Sequence, residues 1–413
     1  MTCPVDHGRI ALDPLVRDLV GEGARLRQAG PVIEIEVPGG VECWAVTRHA
    51  EARRLLTDPR LVKDINRWGA WTRGEIPSTW PLIGLVAPGT SMVTADGDEH
   101  KRQRLLTAQA LTPRRMERLR PRIEEITRSI LDELEAAGAG GAVVDFKSVF
   151  AFKLPMRVIS ELMGVEAAED TRLRALYDTF FSSVSRADEV RAAMGELFAF
   201  FAGVVAEKKR RPGDDLTSAL LAATEGGDRL SDEELIGTLL VMIAAGHETT
   251  INLMVSAVRG LLTHPDQLAL VRSGGASWSA VVEETLRWSP PTTNFLFRYA
   301  TEDIPTGDVV IKEGDAVMIS YGAIGRDEAQ HGPTAEAFDI TRDAARHLSF
   351  GYGPHVCPGA PLGRLEALVA LPALFERFPD LALAVPEEQL ENTPSILVNS
   401  LRELPVRLTA PRA

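Results

Sequence analysis

The sequence predicts a mainly α-helical protein with small β-sheets, because apolar residues recur at helical spacing along most of the chain. Stripes of this kind run through residues 112–134, 158–163, 197–205, 235–262, 281–286 and 362–378. Strand-like alternation is limited to short segments. With 45% apolar and 25% charged residues, the composition is that of a globular protein, which excludes disorder over most of the 413 residues.

A predicted hairpin comes first along the chain, and predicted helices follow it. Residues 32–37 and 41–46 alternate in polarity on either side of a Pro-Gly-Gly turn, which predicts two paired strands. Thr112 before a proline is typical of a helix start, and Pro121 is expected to bend the helix that continues to residue 134. Further short strands are predicted at 309–311, 316–320 and 404–408. No repeat or long linker divides the chain, so one domain over residues 1–413 is expected.

Charge and cysteine content limit the classes of function. The chain has 45 Lys and Arg against 58 Asp and Glu, a net charge of −13, which argues against a free-standing nucleic-acid binder. Three cysteines are too few and odd in number for the disulfide framework of a secreted scaffold. The first residues lack the basic and apolar regions of a signal peptide. A cytoplasmic protein is therefore expected.

The longest apolar run, residues 239–262, is interrupted by His247 and Glu248. A charged group at the centre of a membrane span costs about 2.5–3.5 kcal/mol. The run therefore predicts a buried helix and no membrane association. His247 is interpreted as a structural residue.

Residues 349–361 contain Cys357 in a glycine-rich segment that leads into an apolar helix. Glycines such as Gly359 allow a tight backbone path that presents the cysteine at the helix N-terminus. Free amides and the helix dipole favour a thiolate there, which lowers the cysteine pKa and makes a soft metal ligand. The alternative is a buried cysteine in a turn, which is the usual state of a free cysteine.

A second segment, residues 244–250, places Glu248 and Thr249 in the middle of an apolar helix after two alanines and a glycine. Small residues allow a flat cofactor to approach the helix, and a buried acid and alcohol are costly unless they are used. A threonine bonded back to its own helix remains the structural alternative. In a third segment, Glu284 and Arg287 share one helix face, although most such pairs are solvated.

Together these three segments resemble the cytochrome P450 family, and the resemblance covers essentially the whole chain. It implies a triangular, mainly helical fold with haem b between the Glu248 helix and the Cys357 loop. Cys357 would be the axial thiolate ligand of the iron, which favours O–O cleavage. Glu248 and Thr249 match the acid–alcohol pair that delivers protons to dioxygen. Glu284, Arg287 and a partner, Arg342, match a structural ion network.

The resemblance also implies contacts to the haem itself. Its two propionates require cations, although each cation taken singly could be a surface charge. The residues that match propionate contacts are His100, Arg104, Arg298 and His355, and those that match other haem contacts are Ala245, Phe350, Cys357 and Gly359. Pro358 departs from the family pattern, which usually has an aliphatic residue with an amide N–H after the cysteine.

The implied activity is that of a soluble bacterial monooxygenase, expected to be a monomer, which inserts one atom of O2 into an unactivated C–H bond. Electrons would come from a ferredoxin and ferredoxin reductase. A basic cluster at residues 101–122 is a candidate docking site for the ferredoxin, with solvated helix faces as the alternative. Two other functions stay open: a peroxide-driven peroxygenase and a non-enzymatic haem-thiolate sensor.

A narrower resemblance, carried by residues 64–71 and 80–85, is to an actinobacterial subgroup that hydroxylates steroids and macrolides. Large apolar walls with few charges suit a rigid hydrophobic substrate. The candidate substrate contacts are Trp80, Leu85, Met92, Phe180, Val241, Ala244, Asn294, Phe295, Leu397 and Val398. For the tryptophans of the loop at residues 66–93, packing in an aromatic core is the alternative. Cys3 and Cys43 have no assigned role.

Overall fold

The structure, a computed structural model, describes residues 9–86, 89–343 and 346–409, so Cys3 lies outside the described residues. Helices dominate this part of the chain, as the sequence predicts. The α-helices are α1 Leu19–Ala29, α2 His49–Leu55, α3 Gly69–Thr72, α4 Ile83–Val86, α5 Gly97–Ala110, α6 Pro113–Arg118, α7 Arg120–Ala137, α8 Lys153–Met163, α9 Asp170–Phe181, α10 Ala187–Arg210, α11 Leu216–Ala222, α12 Asp232–Thr263, α13 Pro265–Arg272, α14 Trp278–Trp288, α15 Tyr321–Ile324, α16 Glu328–His331 and α17 Ala360–Arg377.

The strands are short and form three small sheets. They are β1 Ile10–Ala11, β2 Val32–Val37, β3 Val41–Val46, β4 Leu61–Val62, β5 Val144–Asp145, β6 Asn294–Ala300, β7 Ile304–Thr306, β8 Val309–Ile311, β9 Ala316–Ser320, β10 Ala382–Leu383 and β11 Pro405–Arg407. The largest sheet has the order β1-β2-β3-β9-β6-β4, beside a sheet β10-β11-β5 and the pair β7-β8. The antiparallel register that joins residue 32 to 46 and residue 37 to 41 confirms the predicted hairpin.

Helix α12 forms the centre of the helical core, where α8, α10, α14 and α17 pack against it. Ser231 caps its start, since its hydroxyl accepts from the Glu234 amide and the Glu234 carboxylate accepts from the Ser231 amide. The helix is long and apolar enough to cross a bilayer, but 78% of its most apolar window is buried inside the protein. The prediction of a buried core helix is confirmed.

The stretch from residue 112 to 134 differs from its prediction. Thr112 caps a helix as expected, with its hydroxyl accepting from the Arg115 amide at 3.2 Å. However, two helices, α6 and α7, meet at Leu119 where one bent helix is predicted. Proline lacks an amide N–H and has a φ suited to a first helical turn, so Pro121 begins a new helix instead of bending the old one.

A buried ion network anchors α14 to the segment around residue 340. The Arg287 guanidinium is 0% exposed and donates to both carboxylate oxygens of Glu284, at 2.7 and 2.6 Å. It also donates to the carbonyl oxygens of Gly325 and Ala335 at 2.7 Å each. Arg342 Nε donates to Glu284 Oε1 at 3.2 Å. The pair is therefore structural, as predicted, and the solvated alternative is wrong.

Trp80 belongs to an aromatic cluster behind the largest sheet, with Trp68, Phe297 and Tyr299. Its ring stacks on Phe297 with centroids 6.2 Å apart, and its indole N–H donates to the Pro38 carbonyl oxygen at 2.8 Å. With 2% of its surface exposed, Trp80 is a core residue. Its prediction as a substrate contact is replaced by the packing alternative, because the whole indole, including its polar N–H, is satisfied inside the protein.

Candidate functional site

One large cavity lies between α12, α5, β6 and the loop that carries Cys357. It contains about 1800 Å³ not occupied by protein atoms, part of which is open to solvent. The sequence-predicted residues on its lining are His100, Arg104, Val241, Ala245, Thr249, Phe295, Arg298, Phe350, His355, Cys357, Gly359 and Met92. These side chains come from segments up to 267 positions apart, and the fold brings them to one space.

The cysteine loop follows the tight path expected of its glycines. Gly351 and Gly353 have φ values of +74° and +77°, in the left-handed region that favours glycine. The backbone amide of Cys357 donates to the Phe350 carbonyl oxygen at 2.8 Å, which closes the loop. Helix α17 begins at Ala360, so the cysteine lies just before a helix N-terminus.

The electrostatics of the thiol differ from the expectation of a lowered pKa. Burial raises the pKa of Cys357, while hydrogen bonds from the backbone amides of Gly359 and Ala360 act in the opposite direction and lower it. The helix amides therefore act in the predicted sense, but desolvation outweighs them in the metal-free chain. A bound cation would reverse this balance, since a coordinated thiol is deprotonated.

Helix α12 presents small residues and an alcohol to the cavity. Ala245, Gly246 and Thr249 all line it. The Thr249 hydroxyl donates to the Ala245 carbonyl oxygen at 2.5 Å. This is the back-bonded arrangement weighed as the structural alternative. Because a hydroxyl keeps two acceptor lone pairs, Thr249 can still accept a hydrogen bond from a group in the cavity.

Glu248 does not line the cavity and lies apart from the Thr249 hydroxyl. It is 8% exposed, and its Oε1 accepts from the Asn252 side-chain amide at 3.0 Å. Lys147 and Asp178 lie close enough to feel its charge: burial lowers the pKa of Lys147 and Glu248 opposes this, whereas burial and Glu248 together raise the pKa of Asp178. Glu248 is therefore the buried member of a loose ionic cluster behind the cavity, in which Lys147 is half-buried and Asp178 is exposed.

His247 stands beside that cluster. Its Nδ1 lies 2.7 Å from the Ile243 carbonyl oxygen, and its ring packs 5.3 Å from the Tyr177 ring. It is 2% exposed and does not reach the cavity. These contacts agree with its interpretation as a structural residue.

Four cationic or basic side chains converge on one edge of the cavity, as the resemblance implies. The rings of His100 and His355 are 4.1 Å apart. Burial lowers the pKa of His100, and burial together with Arg298 lowers that of His355 to about 2, so both imidazoles are neutral. Within the described residues the guanidinium groups of Arg104 and Arg298 donate to no protein acceptor. Burial lowers the pKa of each. Their donors are left for a ligand.

Two cavity residues with an ammonium or a carboxyl group were missed by sequence reasoning. Lys63 is 7% exposed, and burial, reinforced by Arg298, lowers its pKa to about 7. Glu366 of α17 is buried, its Oε2 has no hydrogen-bond partner among the described residues, and burial raises its pKa well above the usual range. A charged residue within an apolar helix was the signal that identified Glu248, and it would also have identified Glu366.

The candidate substrate contacts are divided by the structure. Met92, Val241 and Phe295 line the cavity. Seven lie outside its lining: Trp80, Leu85, Phe180, Ala244, Asn294, Leu397 and Val398. Ala244 is 5% exposed and packs in the helical core, because the face of α12 that meets the cavity passes through Ala245. The Asn294 side-chain amide donates to the Ile396 carbonyl oxygen at 2.7 Å. Met242 and Thr292 line the cavity without having been predicted.

The residues present fit a haem. A flat anionic macrocycle needs a soft ligand for iron, close approach to a helix without bulky side chains, and cations for two carboxylates. Cys357, the Ala245–Gly246 face and the free guanidinium donors of Arg104 and Arg298 meet these needs.

Comparison with known proteins gives full-length matches. A family model described as Cytochrome P450 matches residues 156–273 and 278–404. The 2-hydroxy-5-methyl-1-naphthoate 7-hydroxylase of Streptomyces carzinostaticus is 42% identical over 404 residues, 96% of this chain and 97% of the relative. The vitamin D(3) 25-hydroxylase of Pseudonocardia autotrophica is 39% identical over 386 residues, 93% of this chain and 92% of the relative. A solved structure described as "Testerone bound CYP154C4 from Streptomyces sp. ATCC 11861" is 58% identical, covers 98% of this chain and 99% of its own, and has a TM-score of 0.95.

Proposed function

Because the chain belongs to the cytochrome P450 family of haem-thiolate monooxygenases, we propose that it hydroxylates an unactivated C–H bond of a rigid, steroid-like or macrolide-like molecule. One observation carries the proposal: Cys357, the small-residue face of α12 and two guanidinium groups without acceptors among the described residues all line one apolar cavity. A cytoplasmic location fits a chain whose redox chemistry depends on a free cysteine.

The protein's own residues have three tasks in this proposal. Cys357 provides the sulfur ligand, and the amides of Gly359 and Ala360 hold that sulfur in place. When bound, haem supplies the activation of dioxygen, of which one atom enters the substrate and the other leaves as water. The Thr249 hydroxyl stands on the cavity wall, where it can accept or donate one hydrogen bond.

Glu248 is proposed as the proton source behind that wall. Since its carboxylate accepts from Asn252 and does not line the cavity, a proton must cross to Thr249 by side-chain rotation or ordered water. Asn252 therefore competes with proton delivery by holding the carboxylate away from the cavity.

The alternative function is that of a peroxide-driven peroxygenase. Hydrogen peroxide already carries the protons that O2 lacks, so this enzyme would need no acid–alcohol pair. Replacing Thr249 with Ala distinguishes the two mechanisms. For a monooxygenase we expect oxygen and reducing equivalents to be consumed with little product, because proton delivery is misdirected. Unchanged product formation from peroxide, together with none from O2 and electron donors, would support the peroxygenase.

The substrate class rests on the cavity wall and on the relatives. Met92, Val241 and Phe295 are apolar, and few polar atoms reach the space that they border. The 58% identical structure holds testerone, and a 39% identical relative is a vitamin D(3) 25-hydroxylase. The testerone-bound structure, at 58% identity, is more similar to this chain than the naphthoate hydroxylase, at 42%, which favours a steroid-like substrate over a naphthoate-like one.

The electron donor is proposed to be a ferredoxin supplied by a reductase. In the basic cluster at 101–122, carboxylates of the protein already pair with Arg102, Arg115, Arg120 and Arg122. Lys101, Arg114 and Arg118 are exposed and have no ion pair among the described residues. These three side chains are therefore the part of the basic cluster that is proposed to bind an acidic ferredoxin.

The docking surface is tested with the double variant Arg114→Glu, Arg118→Glu. Stopped-flow reduction by a ferredoxin at low salt should slow about tenfold or more, and the difference should shrink as salt is added. The matched control is Arg191→Glu, an exposed arginine on α10 outside the cluster. Equal rates for the double variant and the control would contradict this docking site.

The main experiment tests ligand and substrate together. The reduced protein with carbon monoxide should show the strongly red-shifted Soret band of a thiolate complex, and Cys357→Ser should lose it while Cys43→Ala keeps it. Titration of the ferric protein with steroids, macrolides and small aromatics then reports binding as a shift from low to high spin. A Cys357→Ser protein that keeps the red-shifted band would refute the ligand assignment.

A further inference from the structure

Lys63 is a buried cation without a carboxylate partner. It follows β4, is 7% exposed and lines the cavity. Among the described residues no carboxylate oxygen lies within 4.0 Å of its Nζ. Burial of an unpaired ammonium is costly unless an opposite charge compensates it. The compensating charge is therefore expected from a molecule that occupies the cavity.

Backbone carbonyl groups fix the direction of the ammonium. Nζ donates to the Phe297 carbonyl oxygen at 2.6 Å and to that of Leu296 at 3.4 Å, and it lies 4.9 Å from the centre of the Phe295 ring. An ammonium has three N–H donors, so two are used and one remains. Because Lys63, Phe295 and Arg298 all line the cavity, the ammonium lies where the cationic edge meets the substrate wall.

The charge balance of this edge indicates the ligand. With the Lys63 ammonium protonated, as a bound anion would hold it, Lys63, Arg104 and Arg298 contribute three positive charges. Asp96, whose Oδ2 accepts from the Lys63 backbone amide at 2.7 Å, contributes one negative charge. These four side chains sum to +2, which matches a ligand with two carboxylates. Without Lys63 the edge would carry only +1.

We propose that Lys63 is an additional propionate-binding residue that donates its third N–H to a haem carboxylate and positions that carboxylate beside the substrate wall. This inference rests on the proposed function, since it requires haem in the cavity. Lys63 acts through the haem edge and touches no reacting atom, so it is a positioning residue. A carboxylate that accepts this hydrogen bond would oppose the effect of burial on the pKa of Lys63 and keep the ammonium charged.

The test uses the holoenzyme and three variants. Lys63→Met removes the charge and keeps the approximate length of the side chain, and Lys63→Arg keeps the charge. The control Lys312→Met makes the same chemical change at an exposed lysine that directly follows β8. Haem loss is measured as transfer to excess apomyoglobin, and the ferric–ferrous potential is measured by spectroelectrochemistry. The Met variant at 63 should lose haem about tenfold faster, the effect of one charge-assisted hydrogen bond.

The same variant should also have a lower potential, because removal of a nearby positive charge favours the ferric state. Lys63→Arg should restore both values, and Lys312→Met should match the wild type. A packing defect alone would not be repaired by arginine. A Met variant with wild-type haem loss and potential would overturn the proposal, and so would an Arg variant as impaired as the Met variant.

Failure of the proposed function would look different. The freshly loaded Met variant should still give the red-shifted carbon monoxide spectrum, because Cys357 is unchanged. Loss of that band in the wild type would remove the haem-thiolate assignment, whereas its retention with unaltered haem loss in the variant would remove only the role of Lys63. Should Lys63→Met not accumulate as folded protein, Lys63→Gln provides the same comparison.

Discussion

Gly237 on α12 lies against the loop around residue 90, and this loop contributes Met92 to the wall of the cavity. A Cβ at this position would lie 2.1 Å from the carbonyl oxygen of Thr90. The Thr90 hydroxyl donates to Glu233 Oε1 at 3.1 Å, which fastens the same loop to the start of α12. Met92 follows two residues later and lines the cavity. Gly237→Ala should therefore displace the loop and alter substrate binding.

The size of the displacement follows from the contact distance. Since real Cβ atoms essentially never approach closer than 3.0 Å, the loop must move by at least 0.9 Å, the difference between 3.0 and 2.1 Å. Helix α12 cannot yield, because it is packed on several sides in the core. Overpacking of this kind costs about 1–3 kcal/mol. If the loss falls on substrate binding, the dissociation constant should rise by about 5- to 150-fold.

The assay is a titration of the ferric protein with a steroid that gives the high-spin shift. The matched control is Gly203→Ala on α10, where an added Cβ meets nothing within 4 Å. Because alanine is also the better helix former, the control should bind substrate normally and be slightly more stable. A Gly237→Ala protein with the wild-type dissociation constant would refute the reasoning, since it would show that the loop position does not determine the wall.

Three further predictions each concern one side chain. Burial raises the pKa of Glu366, so the folded state resists deprotonation of this residue and loses stability as pH rises above about 4.5. The free energy of unfolding in urea of Glu366→Gln should therefore rise relative to that of the wild type between pH 5 and 8. A difference between the two proteins that stays constant with pH would contradict this. Glu284→Gln leaves the Arg287 charge uncompensated in the core and should cost about 3–5 kcal/mol in thermal or urea unfolding, so a stable variant would be evidence against the anchoring role. Pro358→Leu restores an amide N–H near the cysteine sulfur and should raise the haem potential by up to about 60 mV; a redox titration without a rise would exclude such a hydrogen bond.

The local elements were largely predictable because their signals are local. Apolar spacing identified the helices around residues 158–163, 197–205 and 235–262, and polarity alternation with a turn identified the β2–β3 hairpin. The break at Leu119 was not predicted, because whether Pro121 bends one helix or starts another depends on how both halves pack. The spacing of Glu284 and Arg287 gave the pair, but their burial came from the contacts with Gly325 and Ala335.

The candidate site was predictable to a different extent on each wall. The motif around Cys357 and the order of the cations along the chain were sufficient to name the cysteine and four of the basic side chains that line the cavity, but not Lys63. Trp80 and Ala244 were named as substrate contacts, yet they pack in the core. Sequence patterning shows that a residue is apolar, but an apolar side chain is equally suited to a cavity wall and to a packed interior.

By itself the sequence determined the helical class, the hairpin and the position of the cysteine before a helix, since each depends on residues close together in the chain. Only the tertiary structure decided where Glu248 faces and what Lys63 approaches. Helical spacing places Glu248 and Thr249 as neighbours, but the rotation of α12 in the core turns Thr249 toward the cavity and Glu248 away from it, where Asn252 of the same helix binds the carboxylate. Lys63 reaches the Phe297 carbonyl oxygen across 234 positions. Electrostatic partners at such separations are created by packing, so the charge balance of the cavity edge exists only in the folded protein.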